Sequence, residues 1–208
     1  PSVLGHYKGT EVILDIVNAA AKLGVKVITL YAFSTENWNR SNEEVDALME
    51  LFESYLSKQK NRLVKEGVRF STIGDLEKFP KSLQKIVDNL QKATENGKSI
   101  ELVLALNYGG RDEIRRGVIK ILEDYDEKKL CKSQMTEELI SRYLDTHRYK
   151  DPDLMIRTSG EKRLSNFLLW QLAYAELYMT DIYWPDFTKE ELYKAVESFQ
   201  SRSRRRGK

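Results

Sequence analysis

The chain has 208 residues, of which 34 are basic and 32 acidic, giving a formal net charge of +2. This length suits one domain with a sizeable core, and the balanced charge excludes a protein whose overall field attracts nucleic acid. The single cysteine, Cys131, excludes an intramolecular disulfide framework and favours a reducing, cytoplasmic setting.

The first half of the chain alternates helical and strand-like periods. An amphipathic helix is predicted up to Gly24, a residue type that often ends helices. Residues 25–33 are predicted to form a buried strand. Ser41 and Glu44 then form a capping-box pattern that begins a long helix, whose apolar spacing continues to Gly67.

The second half continues the same alternation. Strands are predicted at 68–73 and 100–106, with an amphipathic helix around 83–90 between them. Further helices are predicted near 112–123, 136–144 and 188–202, and a short buried strand near 153–156. This order predicts a single α/β domain over residues 1–208, with a mostly parallel central sheet flanked by helices.

Three polar loops follow predicted strands, at residues 34–40, 107–111 and 157–165. In an open parallel sheet the ligand site lies at the carboxyl ends of the strands. We therefore expect these loops to share one edge of the sheet and to form a diphosphate-binding cleft.

The third loop has the residue types of an anion site. The turn at 158–160 is predicted to let Arg157 and Arg163 face one phosphate group from two sides, because the planar guanidinium fork binds phosphate oxygens bidentately. Ser165 is predicted to lie at the start of a helix, where free backbone N–H groups also favour an anion.

Four motifs carry a resemblance to a known family: GHYKG at 5–9, YAFSTENWNR at 31–40, NYGGR at 107–111 and the run RTSGEKRLSNFLLWQLAYAELYMTDIYWPDF at 157–187. In this order they resemble the cis-prenyltransferases, the undecaprenyl diphosphate synthase family, over essentially the whole chain. The resemblance implies an enzyme that adds isopentenyl diphosphate to an allylic diphosphate, expected to be farnesyl diphosphate, in successive cis additions. The expected product is a long-chain polyprenyl diphosphate, the undecaprenyl carrier-lipid precursor.

The resemblance also implies roles for individual residues. Isopentenyl diphosphate would be held by Arg157, Arg163 and Ser165, and the allylic diphosphate by Gly5 and His6. The mobile loop that closes over the substrates would be formed by Ser34, Glu36, Asn37, Trp38 and Arg40, with Ser34 and Asn37 as catalytic candidates. Glu176 would help to bind Mg²⁺, since a carboxylate is the hard oxygen ligand that this ion prefers.

A growing hydrocarbon product requires an apolar cavity, and the helix of residues 42–66 is the expected wall. Leu48, Leu51 and Phe52 are the tunnel candidates. From spacing alone, core packing is the ordinary interpretation of these residues, and the resemblance is what favours the tunnel. The resemblance further implies a homodimer, in which Arg205 and Gly207 of an Arg-x-Gly element reach the partner's site, and peripheral membrane contact for product release.

One motif of the family, Asp-Gly-Asn-x-x-Arg-Trp, does not occur in the chain. We expect this motif, with its magnesium-binding catalytic aspartate and the first strand of the sheet, to lie upstream of Pro1. Ser2 stands near the position where the family usually has an arginine.

Two other functions and three structural readings stay open on the sequence alone. The chain could be a non-catalytic partner subunit of a heteromeric cis-prenyltransferase, although it keeps the loop and anion-site residues that such subunits generally lose. The basic tail at 202–208 could bind RNA, but the balanced charge argues against a nucleic-acid partner. Trp38 could be a loop anchor, Glu176 a strand-edge residue, and Arg111 a structural brace.

Overall fold

The computed structural model describes residues 2–202, with the backbone alone for residues 2–7. The helices are α1 (Ser2–Lys22), α2 (Asn42–Glu66), α3 (Lys81–Thr94), α4 (Gly110–Asp126), α5 (Glu137–Arg142) and α6 (Lys189–Ser201). The strands are β1 (Val27–Ser34), β2 (Val68–Ile73), β3 (Ile100–Tyr108), β4 (Leu154–Arg157) and β5 (Glu176–Met179). A 3₁₀ helix at Thr35–Asn39 follows β1 directly.

Every strand pair in this part of the chain is parallel. One sheet has the order β1-β3-β2, and β4 pairs with β5 in a second sheet. The carboxyl ends of neighbouring strands therefore point the same way. The predicted α/β class with a parallel sheet flanked by helices is confirmed.

The central strand β3 is buried on both faces, which explains its continuous apolar sequence. Leu102, Leu104 and Leu106 belong to the larger core, which is built mainly with residues of α1, α2 and α3. Val103 and Ala105 point to the opposite face and join a smaller core with Met155, Leu168 and Leu172. This alternation is the two-residue period of a strand.

Strand β1 is less buried than the sequence predicts. It begins at Val27 and not at residue 25, and Val27 is 37% exposed, while Phe33 is the fully buried residue of the strand. The reason is its position, because β1 pairs with β3 on one side and has no partner strand on the other within residues 2–202.

The boundaries of α2 agree with the prediction because both ends have local signals. Ser41 Oγ accepts a hydrogen bond from Glu44 N, the expected N-cap contact. At the other end Gly67 adopts a left-handed conformation with φ of 66°. By contrast, α1 begins at Ser2, so residues 5–9 lie within the helix and not at its entry. None of the helices in the described ranges is long and apolar enough to cross a membrane.

Candidate functional site

The three polar loops meet at the carboxyl ends of β1, β3 and β4. The pairing of β1 with β3 is irregular here, because Tyr31 pairs with Ala105, Phe33 with Leu106 and Ser34 with Tyr108. Ala32 and Asn107 are thus each left without a register partner. Such bulges are common beside active sites, where they redirect side chains.

The loop of residues 34–40 is held in shape by its own polar groups. Asn37 Oδ1 accepts a hydrogen bond from Ser34 N at 2.9 Å, and Arg40 N donates to Asn37 O at 3.2 Å. These contacts close the 3₁₀ turn and leave the NH₂ group of Asn37 as the donor it can offer to a ligand.

Trp38 anchors this loop to the protein. Its Nε1 donates to Asn107 Oδ1 at 2.8 Å, and its ring centroid lies 4.9 Å from that of Phe33 and 5.6 Å from that of Phe79. Asn107 is buried and donates in turn to Asp75 O at 2.7 Å. The structure thus shows the anchoring role, and a substrate contact of Trp38 stays a prediction.

Glu36 connects this loop to residues 157–166, the anion segment that carries Arg157, Arg163 and Ser165. Its Oε1 accepts from Asn166 Nδ2 at 2.8 Å, and its Oε2 accepts from Thr35 Oγ1 at 3.1 Å. Partial burial raises the pKa of the Glu36 carboxyl, but the hydrogen bonds from Asn166 and Thr35 outweigh this effect and hold the pKa below its usual range. Glu36 is therefore a carboxylate at neutral pH.

Arg157 and Ser165 lie together at the end of β4. Arg157 Nη2 lies 3.3 Å from Ser165 Oγ, and the buried Nε of Arg157 has no hydrogen-bond partner among the described residues. A buried N–H group without a partner is rare in folded proteins. This donor therefore marks a place where a ligand oxygen would complete the structure.

Arg163 has an ion-pair partner within the protein, and its predicted phosphate contact stays a prediction. It is 68% exposed and forms an ion pair with Glu161. The turn between the two arginines is present, with φ of 66° at Ser159 and 69° at Gly160. Arg163 would have to exchange Glu161 for a phosphate to share a ligand with Arg157.

The predicted helix start at Ser165 is wrong. Residues 165–174 form consecutive turns, and Ser165, Asn166 and Leu168 have positive φ values of 50°, 63° and 43°. These conformations are incompatible with a regular helix. The Ser165 hydroxyl is present beside Arg157, but helical backbone N–H groups do not support it.

Glu176 is the first residue of β5, and its Oε2 accepts a hydrogen bond from Arg202 Nη1 at 2.9 Å. Among the described side chains, those of residues 8–202, no group of three or more histidine, cysteine, aspartate or glutamate residues could hold a metal ion. Glu176 fits the role of one oxygen ligand and no more.

The tunnel candidates are all buried. Leu48 and Phe52 belong to the larger core, where the Phe52 ring packs edge-on against Phe33 at 6.3 Å, and Leu51 is 3% exposed. Phe33 directly precedes the 34–40 loop, so Phe52 packs beneath this loop. Contact of the tunnel candidates with a product stays a prediction.

Four predicted site residues lie outside what the structure describes. Gly5 and His6 fall where the backbone alone is given, and Arg205 and Gly207 follow residue 202.

Sequence analysis missed a buried polar network behind the cleft. Glu113 is 1% exposed and accepts hydrogen bonds from Tyr108 OH at 2.5 Å, Gln171 Nε2 at 3.0 Å and Asp145 N at 2.9 Å. Burial raises the pKa of the Glu113 carboxyl. Only its position three residues after Gly110, in a helix that begins at a predicted loop, gave a hint in the sequence.

The chain is similar in sequence to known prenyltransferases. The family model for undecaprenyl diphosphate synthases matches residues 1–207. An isoprenyl transferase of Chlamydia pneumoniae is 48% identical over 98% of this chain and 82% of its own length. An isoprenyl transferase of Aquifex pyrophilus is 49% identical over 100% of this chain and 87% of its own length.

Two solved structures have similar folds. Lavandulyl diphosphate synthase from Lavandula x intermedia, in complex with dimethylallyl diphosphate, gives a TM-score of 0.96 at 35% identity, covering 100% of this chain and 90% of that protein. A probable undecaprenyl diphosphate synthase from Campylobacter jejuni gives 0.86 at 34% identity, covering 97% and 92%.

Proposed function

Because the chain belongs to the undecaprenyl diphosphate synthase family and is a cis-prenyltransferase, we propose that it condenses isopentenyl diphosphate with farnesyl diphosphate in successive cis additions. The product would be a long-chain polyprenyl diphosphate that serves as the undecaprenyl carrier-lipid precursor. Each addition joins C1 of the allylic substrate to C4 of isopentenyl diphosphate. The allylic diphosphate leaves, and C2 of isopentenyl diphosphate loses a proton.

The observation that carries this proposal is the unpartnered Nε of Arg157 beside Ser165 Oγ, at the carboxyl end of a parallel strand. A diphosphate oxygen would accept from this N–H, and the fixed guanidinium plane would orient the isopentenyl group. Arg163 would contribute a second cation after leaving Glu161. Gly5 and His6 would hold the allylic diphosphate.

The 34–40 loop stands beside this anion site through the contact of Glu36 with Asn166. We assign the NH₂ group of Asn37 and the hydroxyl of Ser34 to the catalytic step, where both would donate to diphosphate oxygens. The proton from C2 would pass through the Ser34 hydroxyl to a diphosphate oxygen. Trp38 and Arg40 would cover the substrates and exclude water.

Members of this family use a divalent metal, and we propose that the metal is Mg²⁺. Bound Mg²⁺ neutralises charge on the departing diphosphate. Glu176 would contribute one carboxylate oxygen beside the oxygens of the substrate, which is the usual way in which proteins hold this ion. Arg202 would then have to release Glu176.

A second primer has a specific observation in its favour. The lavandulyl diphosphate synthase with the TM-score of 0.96 holds dimethylallyl diphosphate. A short product made from this primer is therefore the alternative. The higher identity of 48–49% to the isoprenyl transferases favours farnesyl diphosphate and a long product. The same identity argues against the non-catalytic partner subunit.

One assay distinguishes these possibilities. The natural protein that carries this chain is incubated with radiolabelled isopentenyl diphosphate, Mg²⁺ and either farnesyl or dimethylallyl diphosphate, and butanol-extracted products are separated by chain length. We expect long-chain products from farnesyl diphosphate and none after addition of EDTA. Short products from dimethylallyl diphosphate alone would favour the alternative primer, and no product from either would contradict the proposed reaction.

A further inference from the structure

Asn166 touches all three loops of the cleft. It lies in the anion segment next to Ser165, its Nδ2 donates to Glu36 Oε1 at 2.8 Å, and its Oδ1 accepts from Arg111 N at 2.9 Å. Its backbone oxygen also accepts from Gly110 N at 2.6 Å. One side chain and its peptide thus connect residues that are up to 130 positions apart.

The chemistry of the neighbours fixes the orientation of the Asn166 amide. The backbone N–H of Arg111 can only donate, so it must meet the amide oxygen. The NH₂ group then faces the Glu36 carboxylate, which can only accept. Both ends of the amide are matched, and reversing it would place donor against donor and acceptor against acceptor.

The backbone conformation at Asn166 and the close approach of Gly109 restrict which residues can occupy these two positions. Asn166 has φ of 63°, a conformation that asparagine and aspartate tolerate better than other side chains. A Cβ atom at Gly109 would lie 2.7 Å from Asn166 Nδ2 and 2.5 Å from Thr35 Oγ1. The close approach of the loops therefore requires glycine at 109, and it places the Asn166 amide directly against the 34–40 loop.

We propose that Asn166 is a positioning residue that holds Glu36, and with it the 34–40 loop, against the segment that carries Arg157 and Ser165. Asn166 does not itself bind substrate. It connects occupancy of the anion site to the position of the loop, because Ser165 is its immediate neighbour. The hydrogen bond between Asn166 and Glu36 is observed in the structure, whereas its effect on catalysis rests on the proposed function.

Exchanging donor and acceptor tests the bond. Asn166→Asp keeps the contact with Arg111 N and tolerates the positive φ, but it places a carboxylate against Glu36. Glu36→Gln alone retains the bond, since the Gln oxygen accepts from Asn166. In the double variant the Gln NH₂ group donates to the new aspartate, so the bond forms again with reversed polarity. Asn42→Asp is the matched control, because it adds the same charge at an exposed position just after the loop, outside the 3₁₀ turn that carries Glu36.

Hydrogen exchange of the backbone amides of residues 34–40, measured without substrate, reports loop position. We expect Asn166→Asp to speed exchange by about tenfold or more, the factor that corresponds to a lost hydrogen bond to a charged group. Glu36→Gln and Asn42→Asp should leave exchange close to that of the unchanged protein, and the double variant should restore it. Exchange in α3 should be the same in all variants, which excludes global unfolding.

Steady-state kinetics with isopentenyl diphosphate provide the second readout. Asn166→Asp should lower kcat/KM relative to the unchanged protein. The same substitution made in the Glu36→Gln background should lower kcat/KM by a smaller factor, because the hydrogen bond forms again. Unchanged loop exchange in Asn166→Asp, or faster exchange without recovery in the double variant, would overturn the inference. If exchange recovers but kcat/KM does not, the positioning role in catalysis is wrong. A natural protein that makes no product at all would contradict the proposed reaction and not the hydrogen bond.

Discussion

Two arginines predicted to bind one diphosphate have different surroundings. Arg157 is partly buried beside a hydroxyl group and has no ion-pair partner among the described residues, whereas the exposed Arg163 already pairs with Glu161. A phosphate would satisfy a buried donor at Arg157 but would only replace one carboxylate at Arg163. Arg157 should therefore contribute more of the binding free energy.

We predict that Arg157→Ala raises the KM for isopentenyl diphosphate by about 10- to 100-fold, the range that corresponds to a lost charge-assisted hydrogen bond. Initial rates measured at varied isopentenyl diphosphate concentration provide the test. Arg163→Ala is the matched comparison and should have a smaller effect. Arg157→Lys should recover little, because a point charge does not reproduce the guanidinium fork. An unchanged KM in Arg157→Ala would show that the phosphate role is wrong.

At the scale of the elements, Glu113 connects β3, α4 and the turns at 145–146 and 171. Tyr108, Asp145 and Gln171 all donate to its carboxylate. Asp145 also accepts from Gly74 N at 2.9 Å and pairs with Arg116 at 2.6 Å, which extends the network to the end of β2. The network therefore holds the end of β3 and the start of α4 in place, and these two elements flank the 107–111 loop.

We predict that Glu113→Leu lowers the free energy of unfolding by about 3 kcal/mol or more. The Tyr108 hydroxyl and the Asp145 N–H lose their acceptor, and the Gln171 amide keeps only Thr146 Oγ1, at about 1–3 kcal/mol for each hydrogen bond lost. Leucine has a similar volume, so the cost is not that of a cavity. Tyr108→Phe removes one donor and should cost about 1–2 kcal/mol. Urea unfolding followed by circular dichroism measures both. Equal costs in the two variants would show that the network does not act through Glu113.

The elements differ in how well the sequence predicted them. The bounds of α2 and β2 were predicted correctly because Ser41 and Gly67 are local signals that act on their own neighbours. The turns at 165–174 were missed, since their positive φ values are imposed by contacts with distant loops, such as Gly110 N to Asn166 O. Local propensity does not contain that information.

At the scale of the whole molecule, α4 exposes large apolar side chains on one side. Val118, Leu122 and Tyr125 are 46%, 55% and 43% exposed and follow a helical spacing. An apolar stripe of this kind on a solvent-exposed helix face is typical of a protein–protein interface. It supports a homodimer, which we propose for this protein; the predicted cross-site residues Arg205 and Gly207 lie outside the described residues.

We predict that the protein is a dimer at micromolar concentration and that Leu122→Lys shifts it toward the monomer. Light scattering should give twice the protomer mass for the unchanged protein. Val64→Lys is the matched control, because Val64 is similarly exposed at 50% but lies on α2. A monomeric unchanged protein, or equal dissociation in both variants, would contradict the interface.

A second property of the whole molecule is its stability in acid. Glu101 accepts from Tyr149 OH at 2.7 Å and pairs with Arg148, and Arg69 Nε lies 3.9 Å away. Burial raises the pKa of the Glu101 carboxyl, but hydrogen bonds from Ser71 and Tyr149 and the two arginines outweigh it, so the pKa lies below its usual range. The stabilisation is thus present above the unfolded pKa of about 4.3 and is lost as pH falls through the lower folded value.

We predict that Glu101→Gln is less stable than the unchanged protein at pH 7 and that this difference shrinks as pH falls below about 4, where the unchanged protein also loses the charge. Thermal unfolding midpoints across this range provide the measurement. A constant difference at every pH would show that the Glu101 charge does not contribute to stability.

The α/β class, most helix and strand positions, the family and the three loops of the cleft could all be predicted from the sequence. These depend on periodicity, caps and motifs, which are properties of neighbouring residues. Three contacts became visible only in the folded chain: Trp38 anchors on Asn107, Arg163 and Glu176 already have ion-pair partners, and Asn166 joins the loops. Such pairings depend on distances between residues far apart in the chain, and those distances are fixed only when the sheet and helices pack.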